Sequence, residues 1–351
     1  MPSKSFRVGA AALAALTALS SLSACRDSRA GSGGDGGSGG TVKIMVGGID
    51  KVIYLPAKLT EQLGYFKEQG LNVQLLTEPA GAQAENVLIS GDVQGVVGFY
   101  DHSIQLQTKD KCVQSVVQMA DVPGEAEMVS TSKAGSLTSP AGFKGKKLGV
   151  TSPGSSTDFI TRALAVRNGV KTSDYTTVKA GAGQTFISTM ENGGIDAGMT
   201  TDPTIAKLVS TNKAKVMVEM RTEEGTRKAL GGLYPSTSLY MDCAWVKSNG
   251  ETVQKLANAF VKTLGWIKQH KPAEIAAKMP KDYAGGDPAL YEKAVGDSIS
   301  MFNGDGVMKP DAAENVLKVL AQFSPEVAEK KDKIDLSKTY TTQFVTKAKQ
   351  G

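Results

Sequence analysis

From Thr41 onward, apolar residues follow two alternating spacings. Short runs rich in Val, Ile and Leu, at 42–46, 73–76, 95–98 and 113–117, have the length and composition of strands. Between them, apolar positions recur every three or four residues. This predicts helices from about Pro56, over Gln83–Ser90 and from Asp101 to Thr108. A run at Met128–Thr131 reads as a strand leading out of this first unit. A second unit opens near Lys147 with the strand Leu148–Thr151. The helix Ser156–Asn168 follows, placing Phe159, Ile160, Ala163 and Leu164 on one face, and then the strand Tyr175–Lys179. Gln184–Asn192 (helix), Ile195–Thr200 (strand), Thr204–Thr211 (helix) and Lys215–Met220 (strand) complete it. Strands alternating with helices point to an α/β fold with mainly parallel sheets.

After Ser238 the rhythm changes. Leu239–Val246 is a β-rich run. Val253, Leu256, Ala257, Phe260, Leu264 and Ile267 then form the apolar stripe of a long helix, and helical patterns continue to the end. With no further strand–helix–strand unit, this tail is expected to complete the first lobe. The organisation expected is a leader at 1–24, a linker at 25–40, lobe 1 from 41–130 plus 239–351, and lobe 2 from 131–238. The chain crosses between lobes near 130 and near 238.

The two units echo each other. Gly91–Gly95 and Gly193–Ala197 each leave a helix and enter a strand, which then delivers polar residues to its carboxyl end. These are Tyr100, Asp101 and His102 in one unit, Thr201 and Asp202 in the other. In open α/β sheets that edge is where ligands bind, and two such edges face to face make a cleft. Asp50 and Tyr54, in the loop after the first strand, belong to the same edge, and Tyr234 sits near a crossing. The run from Ser152 to Thr157, with Ser155, Ser156 and Thr157 at the start of a helix, offers free N–H groups and hydroxyls to an anion. Ser155 or Ser156 as a simple helix cap, and Asp101 as another, are the alternative readings.

The residues before Thr41 give an address. Lys4 and Arg7 precede an Ala- and Leu-rich run from Val8 to Leu22, the pattern of a secretory signal. The run is too short and alanine-rich to span a bilayer. Arg26–Gly40 is dominated by Gly and Ser, a flexible tether with a reach of roughly 20 Å. The chain carries 40 basic and 35 acidic residues, and without Lys4 and Arg7 the excess falls from five to three. So small an imbalance, with scattered lysines, does not mark a nucleic-acid binder. Cys112 and Cys243 remain as a possible disulfide pair in an oxidising compartment or as two buried thiols, and neither has the close His or Cys that a metal site needs.

Leu22-Ser23-Ala24-Cys25 resembles the lipobox of bacterial lipoproteins, in which the cysteine is acylated and becomes the N-terminus. The folded part resembles the sulfonate, taurine and nitrate type of ABC-transporter substrate-binding proteins. The residues that carry this are Tyr54-Leu55-Pro56, Gly64-Tyr65-Phe66, Gly70-Leu71-Asn72-Val73, Ser90-Gly91-Asp92-Val93, Leu148-Gly149-Val150, Gly154–Thr157 and Gly194-Ile195-Asp196-Ala197. The resemblance implies a two-lobed type II periplasmic-binding-protein fold that closes on a small molecule and hands it to a permease and its ATPase. It implies a monomer without cofactor, held by Cys25 on the extracytoplasmic face of the cell membrane. No arginine stands where a clamp on a sulfonate is expected, and Asp50 and Asp101 suit a basic, amine-bearing or heterocyclic ligand instead. The alternatives are a ligand-sensing surface protein, or an enzyme on the same fold of the thiamine-precursor or menaquinone-pathway type. Against catalysis, the cysteine cluster of the pyrimidine-forming synthases is missing, as are a Gly-x-Ser-x-Gly elbow, a phosphate-binding P-loop and a dinucleotide fingerprint.

Overall fold

Ten strands form two five-stranded sheets in the computed structural model, which describes residues 40–348. The leader, Cys25 and all of the linker before Gly40 lie outside the described residues. The strands are β1 (Thr41–Val46), β2 (Asn72–Thr77), β3 (Gly95–Phe99), β4 (Val113–Gln118), β5 (Glu125–Ser130), β6 (Lys147–Val150), β7 (Thr176–Lys179), β8 (Ala197–Thr201), β9 (Ala214–Met220) and β10 (Thr237–Asp242). The first sheet has the order β2-β1-β3-β10-β4 and the second β7-β6-β8-β5-β9. Each begins with three parallel strands and carries one antiparallel strand in fourth place, β10 in one and β5 in the other. With helices on the sheet faces, this is the two-lobed periplasmic-binding-protein fold.

Each antiparallel strand enters its sheet just after the chain has changed lobes, which moves the crossings from where the sequence put them. The first runs through 119–124, because Glu125–Ser130 is paired on both sides, to β8 and β9, and is buried along its whole length. Gly124 ends this crossing at φ +69°. A Cβ there would meet Met301 Sδ at 2.3 Å and Ile53 Cγ2 at 2.7 Å, so both conformation and space require glycine. The second crossing runs through 231–236, since the helix Glu223–Leu230 still packs on β9 of lobe 2 and β10 already begins at Thr237. The two crossings are tied together: Ser236 N donates to Ala120 O (3.0 Å) and Ser236 Oγ to Val122 O (2.6 Å).

The β-rich run expected over Leu239–Val246 is also shorter than read. Asp242 stops the strand by capping a helix, Cys243–Ser248, its Oδ1 accepting from Ala244 N and Trp245 N at 2.9 Å each. Cys112 and Cys243 are disulfide-bonded there, with Cα atoms 5.5 Å apart. The ladder register, Phe99 opposite Thr237 and Val113 opposite Asp242, puts that bond at the sheet edge away from the carboxyl ends of β1 and β3.

The tail does more than finish lobe 1. The helix Pro310–Phe323 packs on both the lobe 1 helix Asp101–Gln107 and the lobe 2 helix Ser156–Arg167, while Pro288–Ser298 packs on the lobe 2 helix Thr204–Ser210. One hydrophobic core therefore runs from Ile44, Val97 and Phe99 through Val316 and Phe323 to Ile160 and Leu164. A tail apolar enough to face two surfaces straps the lobes together.

Candidate functional site

The carboxyl ends of β3 and β8 meet across the lobe boundary, and the lobes are in contact there. Val52 N donates to the Asp202 carbonyl (3.0 Å), and Ala82 N to Ser155 Oγ (3.2 Å). At the centre is Asp101, the first residue of its helix, with no exposed surface. Ser156 Oγ donates to its Oδ1 and Tyr234 Oη to its Oδ2, both at 2.8 Å. Asp101 thus binds lobe 2 with one oxygen and the second crossing with the other. Burial pushes its carboxyl upward, opposed by the neighbouring His102 and the two hydroxyls.

His102, also buried, faces Glu85 Oε2 with Nδ1 at 2.6 Å, an ion-pair contact whose direction is poor for a hydrogen bond. Burial disfavours the charged ring, but the Glu85 and Asp101 carboxylates outweigh it and raise its pKa. Its Nε2 has no hydrogen-bond partner and looks at Gly81, where a Cβ would stand 2.9 Å away. The ring leans on Phe159 of lobe 2, with centroids 5.7 Å apart. Gly47 continues this wall, since a Cβ there would lie 3.1 Å from Tyr54 Oη and 3.3 Å from Gly81 Cα.

Glu125 and Glu127, which the sequence reading passed over, supply the lobe 2 side. Glu125 is paired with Thr201 at the cleft end of the ladder, is 1% exposed, and its Oε2 has no partner. Its pKa stands well above the usual carboxylate range because of burial and the Asp101 charge, with Lys51 pulling the other way. Glu127, two positions along, accepts from Thr161 Oγ1 at 3.3 Å and is pushed up to about 8 by burial. Lys51 donates to Gly47 O (2.7 Å) and Pro79 O (3.0 Å), and burial lowers its pKa to about 8. The signal was in the sequence: Glu-Ala-Glu-Met alternates charge with Ala126 and Met128, which enter the lobe 2 core. In an interior strand, charges at every second position mark a polar face turned toward something specific.

The other expected residues divide. Ser155, Ser156, Tyr234 and Tyr54 join the cluster, and Thr201 lies beside Glu125. Thr157 turns back to Thr151, accepting from its N at 3.1 Å and sharing a 2.8 Å hydroxyl contact. Tyr100 is bonded to Thr339 and lies edge-on to Tyr340, so it holds the tail. Asp50 is exposed. Asp202 is buried but fully engaged: Oδ2 accepts from Arg221 (2.9 Å) and Ser298 (2.8 Å), and Oδ1 from Ala206 N (3.0 Å). The helix start expected to hold an anion already faces carboxylates of the protein itself, Asp101 through Ser156 and Asp158 through Gly154 N at 2.9 Å. A groove of about 690 Å³, lined by Leu164, Arg167, Val216, Val218 and Lys228, lies on the outer flank of lobe 2, away from this cluster.

Comparison with known proteins follows the same lines. A family model described as NMT1/THI5 like matches residues 54–275. A protein of known structure from Bordetella bronchiseptica RB50 is 33% identical, superposes with a TM-score of 0.83, and covers 88% of this chain and 96% of its own. The ligand-binding component of an ABC-type import system from Staphylococcus aureus, solved with zinc bound, shares the fold at 11% identity and a TM-score of 0.68. It covers 89% of this chain and 100% of that one. Among curated proteins, 4-amino-5-hydroxymethyl-2-methylpyrimidine phosphate synthase THI13 of Saccharomyces cerevisiae is 29% identical over 147 residues. That match spans 42% of this chain and 42% of the yeast protein's length.

Proposed function

The chain belongs to the NMT1/THI5-like family, and from that membership we propose that it is an extracytoplasmic solute-binding protein serving an ABC importer. Two lobes close on a small molecule and present it to a permease. The observation that carries this reading is Asp101, a wholly buried acid through which lobe 1 meets Ser156 of lobe 2 and Tyr234 of the crossing. A carboxylate has about four lone-pair sites; Ser156, Tyr234 and the His102 backbone use three, so the bridge that joins the lobes still accepts from a ligand between them. The carboxylates around it, with no arginine in the cluster, favour an amine-bearing heterocycle over a sulfonate or nitrate.

The similarity to the yeast synthase supports a pyrimidine-like ligand, and Cys112 and Cys243 are joined to each other at the far edge of the sheet. A thermal-shift screen of aminopyrimidines, polyamines, sulfonates and nitrate tests the reading. A ligand at 100 times its Kd adds about 2.7 kcal/mol, and the largest shift is expected from an amino-heterocycle. Shifts with sulfonates alone reject that ligand class.

Acylation at Cys25 holds the clamp beside its permease. Replacing Cys25 with Ser is expected to move the protein from the membrane to the soluble fraction, and unchanged partition discards the anchor.

A further inference from the structure

Glu125 has no task in the closed lobes. Its Oε2 is buried and unpartnered, and it stands at the cleft end of β5 directly after Gly124, the last residue of the crossing. The titratable groups around it come from every neighbouring segment: Lys51 and Tyr54 from the loop after β1, Asp101 from the helix after β3, Glu127 from its own strand, and Tyr234 from the second crossing. With Glu125 itself these make three carboxyls and one ammonium, and the ammonium is already held by two carbonyls. Three carboxylates with a single buried cation leave an excess of negative charge that a dry site does not sustain. Asp101 is stabilised as a carboxylate by the hydroxyls of Ser156 and Tyr234, whereas Glu125 Oε2 has no donor.

We propose that Glu125 holds a proton in the empty protein and gives it up when a cationic ligand enters the cleft, so that capture of the cation is an exchange for one proton. The carboxyl O–H bond breaks, the proton leaves to solvent, and the carboxylate receives the positive end of the ligand, with no covalent bond to the ligand. This deepens the amine-bearing-heterocycle reading and rests on it. Burial raises the Glu125 pKa in the direction the exchange requires. The exchange makes capture of a permanent cation pH-dependent, with affinity rising about tenfold per pH unit while the carboxyl stays protonated, since one proton is released per ligand.

The test has two parts. In the unliganded full chain, the protonated-carboxyl stretch in the infrared spectrum, to which Glu127 also contributes, is expected to lose one carboxyl's intensity in Glu125→Gln, and an unchanged band overturns the proposal. Calorimetry with an N-methylated aminopyrimidinium, in buffers of different ionisation enthalpy, is expected to give one proton released by the wild type and none by Glu125→Gln, which also binds the probe at least tenfold more weakly. Binding without proton release overturns the exchange alone. A probe that fails to bind while the band is present overturns the ligand class, and the exchange with it.

Discussion

Asp101 and Asp202 hold matching places in the two lobes. Each follows the third strand of its sheet, β3 or β8, each sits at or just before a helix start, and neither has exposed surface. Burial is the largest influence on both and raises both carboxyls. They differ in what answers the charge. Asp202 has a guanidinium at 2.9 Å, a hydroxyl and a backbone N–H. Asp101 has two hydroxyls, one from the opposite lobe and one from the crossing, and beside it only the His102 ring, which faces Glu85. A buried carboxylate with its own counterion is complete, and it fastens the end of β8 to Arg221 and the tail helix at Ser298. One whose hydrogen bonds come from neutral groups, its nearest cation shared with Glu85, keeps capacity for a further donor at a lobe boundary. Equivalent positions in a repeated unit therefore diverge in role through the supply of counterions.

The sharpest break of this comparison is Asp202→Ala. It leaves Arg221, only 11% exposed, without its deepest partner, although Glu219 (2.7 Å) and Asp297 (3.7 Å) remain. Removing one member of a buried pair costs about 3–5 kcal/mol, and the remaining partners place this case near the lower end, about 3 kcal/mol. Urea denaturation measures it, and affinity for an amino-heterocycle is expected to change less than twofold in the folded variant. A stability loss below about 1 kcal/mol means the network does not hold the lobe.

Most of the strands were readable because buried strands of an α/β sheet are short apolar runs, and nearly every expected one was found within a residue or two. What failed was membership. Met128–Thr131 gives no sign of which sheet it joins, since pairing with β8 and β9 is a long-range event. The tail was assigned to one lobe because an amphipathic stripe records that a helix is buried, not against what. For the site, Asp101, Ser156 and Tyr234 stood out as polar residues at strand ends and crossings. Tyr100 did too, yet its ring turns to the tail, because two adjacent residues at a helix start point in different directions. Glu125 and Glu127 were missed because charged residues in a strand are usually taken for its solvent face, and here both faces are covered.

The smaller effect on stability is expected at Asp101, and it tests the other half of the contrast. Asp101→Asn keeps an oxygen for one hydroxyl and presents an amide N–H₂ to the other, whose hydroxyl oxygen can accept in turn. It also removes a buried carboxyl that has no guanidinium, so the lost charge-assisted bonds are offset by relief of desolvation. The expected change in stability is within about 1 kcal/mol. Binding should respond differently, because the ligand's N–H groups meet a neutral amide that is itself half donor, and a drop of at least tenfold in affinity, about 1.4 kcal/mol, is expected. Isothermal titration with an aminopyrimidine measures it, beside the urea midpoint of the same preparation. If Asp101→Asn lost stability as Asp202→Ala does while binding unchanged, both aspartates would be fasteners, and the acceptor for the ligand would have to be sought in Glu125 alone.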